Sequence, residues 1–111
     1  MAIGTLSKRI ALTTAAERIS LTSVRVSTFV VQPLAGNAMY VGANTGKIYI
    51  GASNVDTTGD TGIQLCVPVA GSTPPSFSMS SGSNNNIFDL RDIWVAVTAD
   101  NDGVVVFYHS S

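Results

Sequence analysis

Apolar residues in this chain recur at every second position, and the three-to-four spacing of an amphipathic helix is sustained nowhere. Leu6, Ile10 and Leu12 fall on one side of a first strand, with Ser7, Arg9 and Thr13 on the other. Ala15-Ala16-Glu17 has the composition of a helix start, but no helical period follows. Ile19 and Leu21 share odd positions; Val24, Val26 and Val30 then share even ones. That change of phase places a bulge or short break at Thr22-Ser23. Pro33 ends the strand, because proline cannot donate to a ladder. Ile63, Leu65, Val67 and Val69 alternate with Gln64, Cys66 and Pro68, and Pro68 marks an edge strand or its end. Phe77 with Met79, Phe88 with Leu90, and the stretches 93–98 and 104–109 supply further strands. Polar or proline-bearing loops at 52–61, 70–75 and 80–86 separate them. About eight or nine strands with turn signals every ~8–12 residues indicate an all-β antiparallel two-sheet sandwich or a barrel. Eight strands with mixed loop lengths suit a jelly-roll-like sandwich, built as one domain over residues 1–111.

Two stretches carry most of the apolar weight. In the first, 37–65, Asn44-Thr45-Gly46 sits between strand formers and suits a three-residue turn closed by a left-handed glycine. That register sets Val41 opposite Tyr49 and Tyr40 opposite Ile50. Tyr40, Ile48 and Ile50 then share one face, and Met39, Val41 and Tyr49 the other. The second stretch, 93–109, reads as a hairpin turning at Asn101-Asp102-Gly103, with Thr98 opposite Val106 and Ala96 opposite Tyr108. One face carries Ile93, Val95, Val97, Val105 and Phe107, expected as core. The other carries Trp94, Ala96, Val104, Val106 and Tyr108. That second apolar face needs cover, either from the 52–61 loop or from another chain. Trp94, Val104, Val106 and Tyr108 are therefore the expected interface residues, since aromatic anchors are enriched at interfaces. A homo-oligomer follows, a twofold dimer first and a trimer as the alternative.

Charge sets the second constraint. Only 12% of residues are charged, against ~25% in ordinary domains, while 45% are apolar and mean hydropathy is +0.31. Disorder needs the opposite balance. A neutral, hydroxyl-rich, partly apolar surface suits a subunit in an assembly. Residues 1–50 hold five bases against one acid, and residues 51–111 hold six acids against one base. No basic patch with interleaved aromatics exists, which argues against nucleic acid. No apolar run reaches the ~20 residues of a membrane span, and residues 1–5 lack a secretory layout, so no membrane role is expected. The single cysteine, Cys66, excludes an internal disulfide framework.

Motifs of chemistry are weak. Gly42 to Lys47 has three residues between its glycines, Ile48 where a phosphate loop has Ser or Thr, and no helix after it, so it reads as a turn. Asp100-Asn101-Asp102-Gly103 lacks the later ligands of a calcium loop. Asp56 and Asp60 read as solvated loop acids. Asp89 and Asp92 flanking Arg91 read as an ion-pair cluster at a sheet corner. His109 is the only histidine and Cys66 has no base beside it. No nucleophile, base and orienting group come together, so no enzyme, catalytic residue, metal or cofactor is expected.

The order of Val24-Arg-Val-Ser27, Gln32-Pro33, Asn37-Ala-Met-Tyr-Val-Gly42, Gly62-Ile-Gln-Leu65, Asp92-Ile-Trp-Val95 and Val106-Phe-Tyr108 resembles the capsid decoration (cement or staple) proteins of tailed bacteriophages. In length and composition the chain looks most like the staple-type members on short-tailed phages. The resemblance spans most of the chain as a pattern. It implies a jelly-roll-like virion protein on the outer capsid surface, assembled in the host cytoplasm, with the major capsid protein as partner. Its implied work is to clamp neighbouring capsomers. Two other classes compete: a carbohydrate-binding module using Trp94 and Tyr108, and a tail or neck structural subunit.

Overall fold

A computed structural model describes residues 2–11, 16–37, 46–58, 60–66, 76–82 and 85–110, with the backbone alone at positions 2 and 66. In chain order the strands are β1 (Ala2–Arg9), β2 (Glu17–Arg18), β3 (Arg25–Val26), β4 (Thr28–Pro33), β5 (Ile48–Gly51), β6 (Gly62–Cys66), β7 (Phe77–Ser80) and β8 (Phe88–Asp89). A 3-10 turn (Leu90–Asp92) then leads to β9 (Trp94–Val97) and β10 (Gly103–Ser110). One sheet has the order β1-β10-β4-β7, the other β2-β9-β5-β6, and the two-residue β3 and β8 pair separately. All pairings are antiparallel. Without β3 and β8, the eight main strands run first, eighth, third, sixth in one sheet and second, seventh, fourth, fifth in the other. That is jelly-roll wiring in an open sandwich, as the alternation indicated.

The core lies between the sheets. Val104, Val106, Phe29 and Val31 point in from one, and Ile48, Ile50, Val95 and Val97 from the other. Ile10, Ile19, Val26 and Leu90 close the ends. Phe29 packs on Phe88 edge-to-face at 5.6 Å and on Phe77 at 6.4 Å. A second, smaller cluster lies on the outside of the β9–β5 pair, where Tyr49 and Ala96 are covered by Val55 of the 52–58 segment, with Ala16 and Trp94 beside them. So both faces of β5 are apolar and covered, as the sequence required. At the β1–β2 margin, Lys8 Nζ meets Glu17 Oε1 at 3.1 Å and joins the two sheets.

The final hairpin does not form. β9 pairs with β2 and β5, while β10 pairs with β1 and β4 in the opposite sheet. Residues 98–102 carry the chain across the sandwich. Asn101 takes the left-handed conformation at φ 67°, the role expected of Gly103. Asn101 and Ile10 are tied by an amide-to-carbonyl bond of 2.9 Å, and the Ile10 amide donates to the Asp102 carbonyl at 2.9 Å. The pairs Thr98–Val106 and Ala96–Tyr108 are replaced by Ala96–Tyr49 and by Tyr108 between Gly4 and Phe29. Inward and outward faces of β10 are exchanged as a result. Val104 and Val106 are buried in the core, and Phe107 is exposed.

Of the first hairpin, residues 38–45 lie outside the described residues. Both edges of β5 are taken, so Tyr49 pairs with Gln64 and Ala96, and Ile50 with Ile63 and Val95, in place of Val41 and Tyr40. A register shift between Ile48 and Tyr49 makes Leu65 the extra residue of β6. Leu65 is buried, whereas Ile63 on the same edge strand is half open. The expected break at Thr22-Ser23 lies between β2 and β3, where the inward positions pass from Ile19 to Val24 and Val26. A second change of phase was not expected. It comes at buried Ser27, after which Phe29 and Val31 point inward and Val30 is turned outward.

Candidate functional site

The alternation of β1, β10 and β4 turns Ile3, Thr5, Ser7, Val105, Phe107, Val30 and Gln32 away from the core. The register places them in rows across the sheet: Ile3–His109–Thr28–Ser80, then Thr5–Phe107–Val30–Ser78, then Ser7–Val105–Gln32. Val30, Val105 and Phe107 lie on the two middle strands, and Thr5, Ser7, Ser78 and Ser80 lie on the edge strands together with Ile3. Thr28 donates to Ser80 across β4–β7 at 3.2 Å. Ile3 is 65% and Phe107 54% exposed, so no other described element lies over them. Among the described residues, Arg9 at the rim is the only permanently charged side chain on this face. Its Nη1 donates to the Asn101 carbonyl at 3.0 Å. A solvent-facing sheet ordinarily shows charged or polar residues in such positions. Among the described residues this face is instead uncharged apart from Arg9 at its rim, with Val30, Val105 and Phe107 at its centre.

The four residues expected as one interface are not brought together. Val104 and Val106 are fully buried between the sheets, and Tyr108 packs inward against that core. Trp94 lies on the outside of the opposite sheet, with the Arg18 guanidinium 5.0 Å above its ring. The cover over Trp94's neighbours Tyr49 and Ala96 comes from Val55, on the loop expected to supply it. Trp94 also borders a shallow depression of about 250 Å³ with Ala16, Glu17, Arg18 and Leu21. Because Trp94 and Tyr108 sit on different sheets, they line no common groove.

A separate apolar cleft of about 170 Å³ opens between the edge strands β6 and β7, lined by Phe29, Ile50, Ile63, Phe77, Met79 and Ile93. It joins side chains 29, 50 and 77 that no local pattern could connect. Ser27 and His109 also meet, with Oγ 3.1 Å from Nδ1, a pairing unseen in the sequence. Ser27 is buried, and its hydroxyl donates to the His109 carbonyl at 3.1 Å. The contact pins the end of β10 to the start of β4 and leaves the hydroxyl closed to a substrate.

The acids are spent locally. Asp89 accepts from the Ser23 hydroxyl and from the amides of Val24 and Arg91, both at 3.0 Å. It caps the 3-10 turn in place of the expected ion-pair cluster with Asp92 and Arg91. Partial burial pushes the Asp89 carboxyl up, but these hydrogen bonds and the Arg91 charge outweigh it and hold the group below its ordinary value. Asp56 is likewise lowered, first by the Thr58 hydroxyl and then by the Thr58 amide. Among the described residues no three His, Cys, Asp or Glu side chains gather as a metal site. Residues 42–45 of the Gly42-to-Lys47 stretch and the Cys66 thiol lie outside the described residues.

Both carboxyls are depressed in the folded chain. The stability they contribute is therefore complete above the unfolded carboxyl range, near pH 4, and is lost as pH falls through the folded values. Calorimetry should show Tm falling from pH 5 to pH 3, less steeply in Asp89→Asn. Asp89→Ala should cost about 1–2 kcal/mol at neutral pH through the lost cap.

Comparison with known protein families, characterised proteins and solved structures finds no match.

Proposed function

We propose that this chain is a non-enzymatic structural subunit that binds the outside of a phage capsid and clamps neighbouring capsomers. Its partners are then the major capsid protein and further copies of itself. The observation that carries this reading is the apolar-centred outer face of the β1-β10-β4-β7 sheet. An extended contact with a shell suits an open sheet face, and one whose charge is confined to Arg9 at the rim loses little solvation on docking. The resemblance of the strand motifs to phage decoration proteins supplies the partner. A sugar-binding module gains nothing from the separation of Trp94 and Tyr108, and a tail or neck subunit would share the fold at another address.

The test is co-sedimentation with phage heads stripped of their decoration. Binding is expected, weakening only modestly with added salt because few charges take part. Phe107→Asp should weaken it tenfold or more while leaving Tm near wild type, since the ring is half exposed. Absence of co-sedimentation, or full binding by Phe107→Asp, would end this reading.

A further inference from the structure

We propose that the open edge of β1 is a self-pairing site, where a second copy of this chain adds antiparallel to the sheet across a twofold axis. The four outer strands of the sandwich are unequal. β2 is two residues long and both are charged, β7 has four residues, and β6 has five with a bulge. β1 runs for eight residues in unbroken register, from Ala2 opposite Ser110 to Arg9 opposite Gly103. Residues 2–7 read Ala-Ile-Gly-Thr-Leu-Ser, without a charge or a proline. Edge strands are normally guarded by such devices, and a long straight edge lacking them is a template for pairing. Among the described residues no strand lies beyond it.

The ladder fixes which backbone groups are free. The Ile10 amide bonds to the Asp102 carbonyl, the next rung of the β1–β10 pair. In an antiparallel ladder bonded and unbonded residues alternate. Lys8, Leu6 and Gly4 are thus spent on β10, and Ser7, Thr5 and Ile3 turn their N–H and C=O outward.

These three residues are symmetric about Thr5. A twofold axis at Thr5 sets Thr5 against Thr5 of the second copy, and Ile3 against Ser7 of the second copy. All three residues of each strand are then satisfied at once. Lys8 meets Ala2 of the second copy, so no like charges face each other. The outer faces of the two copies become one eight-stranded surface, with Ile3 at its middle. This self-complementarity selects a second copy over an unrelated strand. One strand pair buries less than the ~800 Å² per partner of a standard interface. The dimer is therefore concentration-dependent, with a Kd in the micromolar-to-millimolar range.

The proposal concerns the free protein and stands apart from the shell-binding reading. Sedimentation equilibrium over a wide concentration range tests it without any capsid. The average mass of the wild type should rise toward that of a dimer, and protection of the Ile3, Thr5 and Ser7 amides from hydrogen exchange should rise with it. Thr5→Pro removes the central outward donor and Thr5→Lys sets two charges against each other on the axis. Both should remain monomeric throughout, with a wild-type β spectrum. If Thr5→Pro fails to fold, Thr5→Lys decides. A wild type that stays monomeric, or a Thr5→Lys protein that dimerises like wild type, overturns the proposal. So does a dimer that Phe107→Asp abolishes and Thr5→Lys leaves intact, because the contact would then be face to face.

Discussion

Replacing Gly103 by alanine is expected to unfold the protein at room temperature or bring it close to that point. A methyl group there would run into the Lys8 carbonyl oxygen and the Arg9 Cα, which are backbone atoms that cannot swing aside. Gly103 is not left-handed, so its need for glycine comes from close approach of β1. The same residue is gripped from the other side. Buried Asn37 donates from Nδ2 to the Gly103 carbonyl at 2.9 Å and accepts the Gly103 amide on Oδ1 at 3.0 Å. The Leu34 amide adds a bond of 3.0 Å to that carbonyl. Any shift of Gly103 that relieves the clash breaks these bonds, leaving buried polar groups unpaired at about 1–3 kcal/mol each. Together with overpacking, the loss should exceed about 3 kcal/mol. Urea unfolding should show a large drop in midpoint; a midpoint near wild type would mean that β1 does not press on β10 at this register.

Phe29→Ala should cost about 3–5 kcal/mol, the range for a fully buried phenylalanine, and lower Tm by about 15 °C or more. Phe29 is 1% exposed and loses ring contacts with both Phe77 and Phe88. Phe107→Ala is the informative partner, because that ring is more than half exposed and its removal should cost less than about 1 kcal/mol. Thermal melts of the two variants side by side measure which face of each strand is inside. Equal losses would contradict the assignment of faces.

The sandwich was legible because alternation reports strands directly, and most predicted strands are present within a residue or two. Faces were less legible where both alternate sets are apolar. In β10, Val104 and Val106 compete with Val105 and Phe107, and nothing local chooses between them. Pairing decides, and pairing depended on whether Asp100-Asn101-Asp102-Gly103 made a hairpin or a crossover. The dipeptide chemistry of the two is the same. What selects the crossover is distant: Ile10 takes the backbone groups of Asn101 and Asp102, and Asn37 takes those of Gly103. The interface expected at Trp94, Val104, Val106 and Tyr108 followed from the hairpin and dissolves with it. The general character of the surface fared better. Low charge with abundant serine and threonine is what the outer rows of β1, β10, β4 and β7 display.

The position of β10 between β1 and β4 has a consequence for how the chain assembles. Ala2 lies opposite Ser110, and Val31 opposite Val106, so the middle of one sheet is its last stretch to be synthesised. Until that stretch arrives, β1 and β4 have no strand to hold them together. Loop closure over nearly the whole chain must precede the stabilising contacts, which places such a topology among slow folders, in the millisecond-to-second range. Nascent chains ending before Gly103 would expose β1 and β4 with vacant inner edges, and those edges would seek each other on neighbouring chains.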